Sequence, residues 1–418
     1  MKILIIGSGG REHALAWRIK QSDHCQKLWT ANGNAGTAQI TTNIEIDPQD
    51  IPSIVTWAKS ESVDLVVVGP EVPLADGIVD KLSGIGIPTF GPTKYAAQIE
   101  SSKAFARDIM ASAKVPSPGY KTFNDIHAAL NFVTQNSTPL VIKADGLASG
   151  KGVVMCETRD EASKAVLSAM SDRVFGASGD TIVIEEFLTG QEVSVFVFCD
   201  GESISSPIAA CDYKQIGDGN IGPNTGGMGS YTHPHFWSSS LESKIMSEIM
   251  FPTIEVLSAK GIPYKGILYA GIMLTDSGPK VLEFNCRFGD PETQVILPLL
   301  ESDPIEIMMS CIEGSLNSLN VKWGTKPHVG VVMTSKGYPG IYETGLPITG
   351  LDEELENTYV FHSGTATDDN HDMITTSGGR VLTVVGWGDS LSEAKTSAYA
   401  RVDTLKFKGA NWRTDIGE

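Results

Sequence analysis

Apolar residues at 3–6 run into Gly7-Ser8-Gly9-Gly10, and helical periodicity follows over 11–20. Further apolar blocks at 27–31 and 64–68 are separated by helical stretches, and the second ends in Gly69-Pro70-Glu71. Continuous apolar strands alternating with helices predict a parallel, doubly wound α/β sheet at the N-terminus. A different pattern begins near Val115-Pro116-Ser117-Pro118-Gly119, which breaks the periodicity and marks a loop between units. Beyond it the spacing predicts a helix over 125–134, strands over 140–143, 181–184 and 194–198, and a helix over 241–260. Two strands over 266–274 and 281–287 flank Asp276-Ser277-Gly278 and read as an antiparallel hairpin. After Trp323-Gly324, short strands over 328–334, 358–362 and 380–387 and a last helix from 390 predict a small α+β tail. The resulting expectation is three units: 1–100, 101–323 and 324–418.

The strand over 281–287 carries the most chemistry. Read with a period of two, Leu282, Phe284 and Cys286 face one way and Glu283, Asn285 and Arg287 the other. A carboxylate and an amide oxygen two residues apart suit a hard divalent ion, and the neighbouring guanidinium suits a phosphoryl or carboxylate oxygen. A half-exposed sheet face with a surface ion pair would show the same alternation, so the rest of the chain has to decide.

Lys143 ends an apolar strand and opens K-A-D-G-L-A-S-G-K-G, in which Gly150, Lys151 and Gly152 form a phosphate-loop candidate. It is no Walker A motif: three residues separate the glycines, and a glycine follows the lysine. Lys103 stands on a helix with Ser101 or Ser102 at its cap. Glu185, Glu186, Phe187 and Leu188 leave the strand at 181–184 and offer main-chain groups to an adenine edge, with Glu192 in reach of ribose hydroxyls. Residues 212–231 make a long glycine-rich loop, of the kind that is functional or disordered in a compact protein. Its Asp212 and Lys214 suit a zwitterionic substrate. At the N-terminal sheet, Gly9, Gly10 and Arg11, the loop 33–36, and Gly69, Pro70 and Glu71 all lie at strand C-termini, where ligands of open α/β sheets gather. The dinucleotide fingerprint fails there, because Glu12 replaces the third glycine and Asn32 stands where an acid should end the second strand.

Composition narrows the class. The chain has 418 residues and a formal charge of −18, with Lys+Arg 32 against Asp+Glu 50. That excludes a broad nucleic-acid-binding surface but not a local cationic pocket. The six cysteines form no C-x-x-C pair and predict free thiols in a reducing compartment. No stretch is long and apolar enough for a membrane span. A soluble, cytoplasmic protein without nucleic-acid or membrane partners is expected.

G-G-R-E-H-A at 9–14, G-N-A-G at 33–36, G-P-E-x-P-L at 69–74, I-K-A-D-G-L-A-S-G-K-G at 142–152, G-P-N-T-G-G-M-G at 222–229 and E-F-N-C-R-F-G-D-P-E at 283–292 together resemble the glycinamide ribonucleotide synthetases, an ATP-grasp family of purine biosynthesis. The resemblance runs from residue 1 to Ile416. It implies ligation of glycine to 5-phosphoribosylamine with ATP and Mg²⁺ or Mn²⁺, by way of a glycyl phosphate. It implies an N-terminal α/β domain, a central ATP-grasp domain with a mobile lid at about 120–190, and a C-terminal domain, in a monomer or weak dimer. By this similarity Lys103 and Lys143 meet the ATP phosphates, residues 185–188 hold adenine, Glu192 the ribose, and Glu283 and Asn285 the metal. The loops at 9–11 and 69–71 lie near phosphoribosylamine. Asp290 is a further candidate for substrate binding, and the guanidinium of Arg287 is assigned to transition-state charge. One departure stands out: many ATP-grasp enzymes carry another metal-binding acid on the strand before E-x-N, and residues 266–274 contain none. Competing readings are an ATP-grasp ligase with another acceptor, a nicotinamide oxidoreductase on the N-terminal sheet, and a non-catalytic nucleotide-binding module.

Overall fold

The computed structural model describes residues 1–147, 152–368 and 373–418. The N-terminal sheet holds β1 (Lys2–Gly7), β2 (Lys27–Asn32), β3 (Thr42–Ile44), β4 (Leu65–Val68) and β5 (Thr89–Phe90). All pairs are parallel and the order is β3-β2-β1-β4-β5. Chain direction across the sheet reverses between β1 and β4, so the loops after these strands open a crevice at their C-terminal ends. Ile3, Leu4, Ile5 and Ile6 are fully buried, which is why β1 is apolar on both faces.

A second, antiparallel sheet contains β6 (Tyr120–Phe123), β7 (Leu140–Ala144), β8 (Val153–Cys156) and β9 (Ile182–Glu186), in the order β6-β9-β7-β8. Helices Ile126–Gln135 and Arg159–Met170 pack on it, and Phe123, Ala129, Val133, Ile142, Val166 and Ile184 belong to a core of its own. The strands predicted over 140–143 and 181–184 are both present.

The remaining strands are β10 (Gln191–Asp200), β11 (Ile208–Asp212), β12 (Gln215–Gly217), β13 (Ile221–Asn224), β14 (Gly229–Thr232), β15 (Lys265–Thr275), β16 (Gly278–Asn285), β17 (His328–Thr334), β18 (Thr358–His362), β19 (Thr365–Thr367), β20 (Ile374–Thr376) and β21 (Arg380–Trp387). Eight of them form one antiparallel sheet, β16-β15-β10-β11-β14-β17-β21-β18. The C-terminal strands therefore extend the central sheet through the β14–β17 pairing. The strands β12–β13 and β19–β20 form separate two-stranded hairpins.

Two local details depart from the simple periodic reading. The helix expected over 241–260 is interrupted by a π-helical turn, Met246–Met250, between Ser239–Ile245 and Phe251–Ala259. Pro252 lacks an N–H and its ring crowds the preceding turn, so the wider turn relieves the contact. The alternation over 281–287 is also broken. Gly271 of β15 faces Glu283 while Ile272 faces Val281, leaving Leu282 as the extra residue of a bulge. Val281 and Phe284 are the core residues, and Leu282 is only half-buried, a correction to its expected place on the apolar face.

Candidate functional site

The three polar residues of β16 and its end are brought together as expected. Arg287 donates from Nη2 to Asn285 Oδ1 at 3.3 Å and to Glu100 Oε1 at 2.8 Å, and its Nε lies 3.3 Å from Glu71 Oε2. Glu71 opens the helix Glu71–Asp76 after β4, so the N-terminal unit supplies part of the charge that orients Arg287. Burial acts to raise the Glu71 pKa, but Arg287 and Arg11 outweigh it and the group stays ionised.

Glu283 sits at the centre of a cationic cluster. Its burial favours the neutral acid, yet Lys214, Lys143, Lys103 and Arg287 together hold its pKa below the ordinary carboxylate value. Each cation is positioned by a different element. Ser102 caps the helix Lys103–Ala113 through the Phe105 amide at 3.1 Å, and Lys103 Nζ donates to Gly146 O at 3.0 Å. Asp145 accepts from the Ala104 amide at 3.1 Å, docking the turn after β7 on that helix N-terminus. Lys143 Nζ donates to Leu282 O at 3.0 Å, a carbonyl that the bulge turns toward it. Lys214 pairs with Glu192 Oε2, while Asp212 beside it is pushed up to about 7 by burial and by Glu292, Glu192 and Glu283, against the pull of Lys214.

Other sequence candidates are placed differently. Glu185 is 2% exposed and its carboxylate is consumed internally, by Arg107 Nη2 at 2.6 Å and Lys143 Nζ at 2.9 Å. Only main-chain groups near it can therefore face a nucleotide. Glu186 is exposed and paired with Lys280 at 2.9 Å; Phe187 and Leu188 are half-buried. Arg11 points inward, donating to Glu12 Oε1 at 2.6 Å and Phe288 O at 3.1 Å, so its guanidinium is engaged by the protein rather than held open. Asp290 accepts from Gln294 at 2.8 Å and approaches Arg380 Nη1 at 3.4 Å. Gly152 closes the β7–β8 connection by accepting from the Ala144 amide at 2.8 Å. Gly150 and Lys151 lie outside the described residues.

Glu12 also explains the N-terminal glycines. Its Oε2 accepts from the Gly9 amide at 2.6 Å, and a Cβ on Gly69 would come within 2.0 Å of its Oε1. A carboxylate thus fills the space at the β1 turn that a dinucleotide pyrophosphate would need. Pro70 stands before the helix Glu71–Asp76, and Gly10 is buried against Gln294 and Ser363. Asn34 bonds Ser8 O and His362 O, both at 2.9 Å, so the loop at 33–36 ties the N-terminal sheet to β18.

Sequence reasoning missed Arg107, Glu100, Glu292 and Arg380. Glu292 accepts from Tyr269 Oη at 2.9 Å and from Ser194 at 3.4 Å, behind Asp212. The D-P-E end of the strand motif was a signal for Glu292; Arg107 and Arg380 sit in patterns that look like ordinary helix and strand surface. Among the described residues, no group of three or more His, Cys, Asp or Glu side chains is placed to hold a metal. The site offers an ion one carboxylate and one amide.

Cations from separate elements converge on an acidic strand end beside a small, separately cored antiparallel sheet, an arrangement that defines an ATP-grasp ligase. Residues 101–293 match the family model for the ATP-grasp (A) domain of phosphoribosylglycinamide synthetase, residues 1–100 its N domain and residues 328–418 its C domain. The chain belongs to the phosphoribosylglycinamide synthetase family. The phosphoribosylamine–glycine ligase of Caldanaerobacter subterraneus subsp. tengcongensis is 46% identical over 417 residues, covering 100% of this chain and 99% of the relative. The trifunctional purine biosynthetic protein adenosine-3 of Gallus gallus is 47% identical over 421 residues, covering 100% of this chain and 42% of that protein. The crystal structure of phosphoribosylamine–glycine ligase from Thermotoga maritima has a TM-score of 0.85 at 30% identity, over 99% of this chain and 100% of that one. Biotin carboxylase of Campylobacter jejuni, at a TM-score of 0.73 and 16% identity over 98% of this chain and 92% of that one, shares the fold.

Proposed function

We propose that this chain joins glycine to 5-phosphoribosylamine with ATP, in the purine pathway, giving glycinamide ribonucleotide, ADP and phosphate. The observation that carries this reading is that Lys103, Lys143, Lys214 and Arg287, from separate elements, all act on buried Glu283 and hold it ionised, with Lys143 Nζ on the adjacent Leu282 carbonyl at 3.0 Å. A triphosphate and a carboxylate can approach one another only where several cations neutralise them, and phosphoryl transfer needs mainly such positioning. A glycine carboxylate oxygen attacks the γ-phosphorus and ADP leaves. The phosphoribosylamine nitrogen then attacks the acyl carbon, phosphate leaves and the amine gives up a proton.

In this reading Lys103 and Lys143 hold ATP phosphates, and Gly150, Lys151 and Gly152 belong to the same ATP-binding set. The main chain at 185–188 meets adenine, and Glu192 the ribose. Asp212 and Lys214 bracket glycine. The loops at 9–11 and 69–71, with Asp290, form the phosphoribosylamine side. Residues 1–100, 101–323 and 324–418 act as three domains, with the lid within about 120–190. Glu283 and Asn285 would hold Mg²⁺ or Mn²⁺, which when bound neutralises phosphate charge. One carboxylate and one amide among four cations fit an ion that arrives with the triphosphate and keeps its other ligands as phosphate and water. The reaction is placed in the cytoplasm as part of this proposal; no helix among the described residues is long and apolar enough to cross a membrane.

The test is ADP formation with Mg²⁺, omitting one substrate at a time and generating phosphoribosylamine from ribose 5-phosphate and ammonia. ADP should appear only when glycine and phosphoribosylamine are both present. Glu283→Gln should lower kcat by more than about 100-fold. Equal turnover with another amine would defeat the substrate assignment, and an active Glu283→Gln enzyme the site assignment.

A further inference from the structure

The segment that presents Lys214 is thinly supported by its own surroundings. Residues 218–224 are exposed, Ile221 is 70% exposed, and β12–β13 pairs with neither large sheet. Yet Lys214 is held at a defined point between Glu192 and the Glu283 cluster. A two-stranded hairpin alone is marginal in water, so something else must hold it.

Tyr213 continues the β11–β14 pairing through Gly229 O and the Met228 amide, at 3.0 and 2.7 Å, and beyond it the holder is the C-terminal tail. Arg413, 1% exposed, donates from Nη1 to Gln215 O at 3.1 Å and to Asn220 Oδ1 at 2.9 Å. Its guanidinium also lies over the Tyr213 ring, 4.7 Å from the centroid. One side chain thus grips the residues immediately before and after Lys214. Asp415 fixes the fork, accepting from Arg413 Nε at 2.7 Å and Nη2 at 2.6 Å, and its Oδ2 also takes the Gly219 amide at 2.8 Å. Thr414 completes the clasp, its amide donating to Asp218 Oδ1 at 2.8 Å and its hydroxyl to Asp218 Oδ2 at 2.5 Å. The Gly417 amide donates to Tyr213 Oη at 3.1 Å. The far end of the loop is held from the same side, with the Gly226 amide donating to Tyr338 Oη at 2.9 Å and Arg380 Nη1 donating to Gly226 O at 2.6 Å. Between these ends the Thr225 amide and hydroxyl donate to Lys214 O at 2.7 and 2.8 Å.

We infer that Arg413 is a positioning residue for ligation, acting through the hairpin to keep the Lys214 ammonium in the Glu283 cluster. It touches no reacting group. The inference rests on the proposed role of Lys214 for its effect on turnover, but not for the clasp itself. Misplacing one charged group by an ångström costs about 100-fold in rate. Arg413→Ala should therefore lower kcat by about that factor while the Kd of a non-hydrolysable ATP analogue shifts by less than about threefold. Lys cannot reproduce the fork, so Arg413→Lys should recover little of the activity.

Two measurements keep the idea falsifiable. In a double-mutant cycle, Arg413→Ala in a Lys214→Ala background should add almost no further loss in kcat; losses that multiply would overturn positioning through Lys214. Independently of activity, trypsin should cut after Lys214 readily in folded Arg413→Ala and slowly in the wild type. Equal cleavage would overturn the clasp even if the substrate-omission assay succeeds, and a failed omission assay with unequal cleavage would overturn only the proposed function. Should Arg413→Ala not fold, Thr414→Ala and Asp218→Asn, which loosen only the exposed tip, are to show the same cleavage and the same fall in kcat in smaller degree. Unchanged values in both would sink the proposal.

Discussion

At the residue scale, Glu185 shows how a charged side chain can serve a site without facing it. Its carboxylate joins Arg107, from the helix Lys103–Ala113, to Lys143 at the end of β7. Arg107 in turn donates to the Val281 and Leu282 carbonyls of β16, at 3.1 and 2.9 Å. Four elements therefore meet on one buried ion cluster. Such a cluster adds little net stability when intact, but losing one partner strands a charge in the interior. Arg107→Ala should destabilise the fold by about 3 kcal/mol, read as a lower denaturation midpoint with unchanged slope. A shift below a few tenths would mean that Lys143 alone satisfies Glu185. This arrangement was not legible in the sequence, because two successive glutamates at a strand end read alike. Only the fold reveals that Glu185 is inward and Glu186 outward. Glu283, Asn285 and Arg287 were legible, since three polar residues at a spacing of two survive any small change in strand geometry. The bulge at Leu282 was not, because leucine fits either face of a strand.

At the scale of elements, the loops after β1 and β4 share a single side chain. Glu12, in the first turn of the helix Gly10–Lys20, caps the Gly9 amide and fills the space beside Gly7 and Gly69. The sequence signalled that no dinucleotide binds here, since Glu12 breaks the glycine pattern, but not that the carboxylate occupies the vacated space. Adding a methyl group at Gly69 would push the carboxylate off the Gly9 amide. Gly69→Ala should cost about 1–3 kcal/mol of stability, the range for overpacking a tight site. In a Glu12→Ala background the same change should cost much less, because its steric partner is gone. Equal costs in the two backgrounds, measured by chemical denaturation, would place the strain elsewhere. The extension of the central sheet by β17, β21 and β18 belongs to this scale too. Each of these strands was visible as a short apolar run. The strand that joins them to the central sheet, β14, paired with β17, was hidden in a glycine-rich stretch, where Gly229 and Ser230 carry no strand signal.

At the scale of the whole molecule, the N-terminal sheet and the C-terminal strands meet on two histidines, and this contact sets an expected response to acid. The His362 amide donates to His13 Nδ1 at 2.8 Å, so that nitrogen must keep its lone pair. Burial, with a smaller contribution from His362, lowers the His13 pKa from 6.5 to about 3, and burial lowers that of His362 from 6.5 to about 4. Both groups are neutral in the fold above these values, whereas the unfolded chain takes up protons on them below about pH 6.5. With depressed folded pKa values, their contribution is fully present above about pH 6.5 and declines as the pH falls toward 4 and 3. The thermal midpoint should therefore drop as the pH is lowered from 6.5 to 4. His13→Gln removes one of the two titrations while keeping an acceptor, and its midpoint should fall less steeply over the same interval. Parallel curves for the two proteins would show that His13 stays out of the acid response and that the joint between the sheets is held by Asn34 and packing instead.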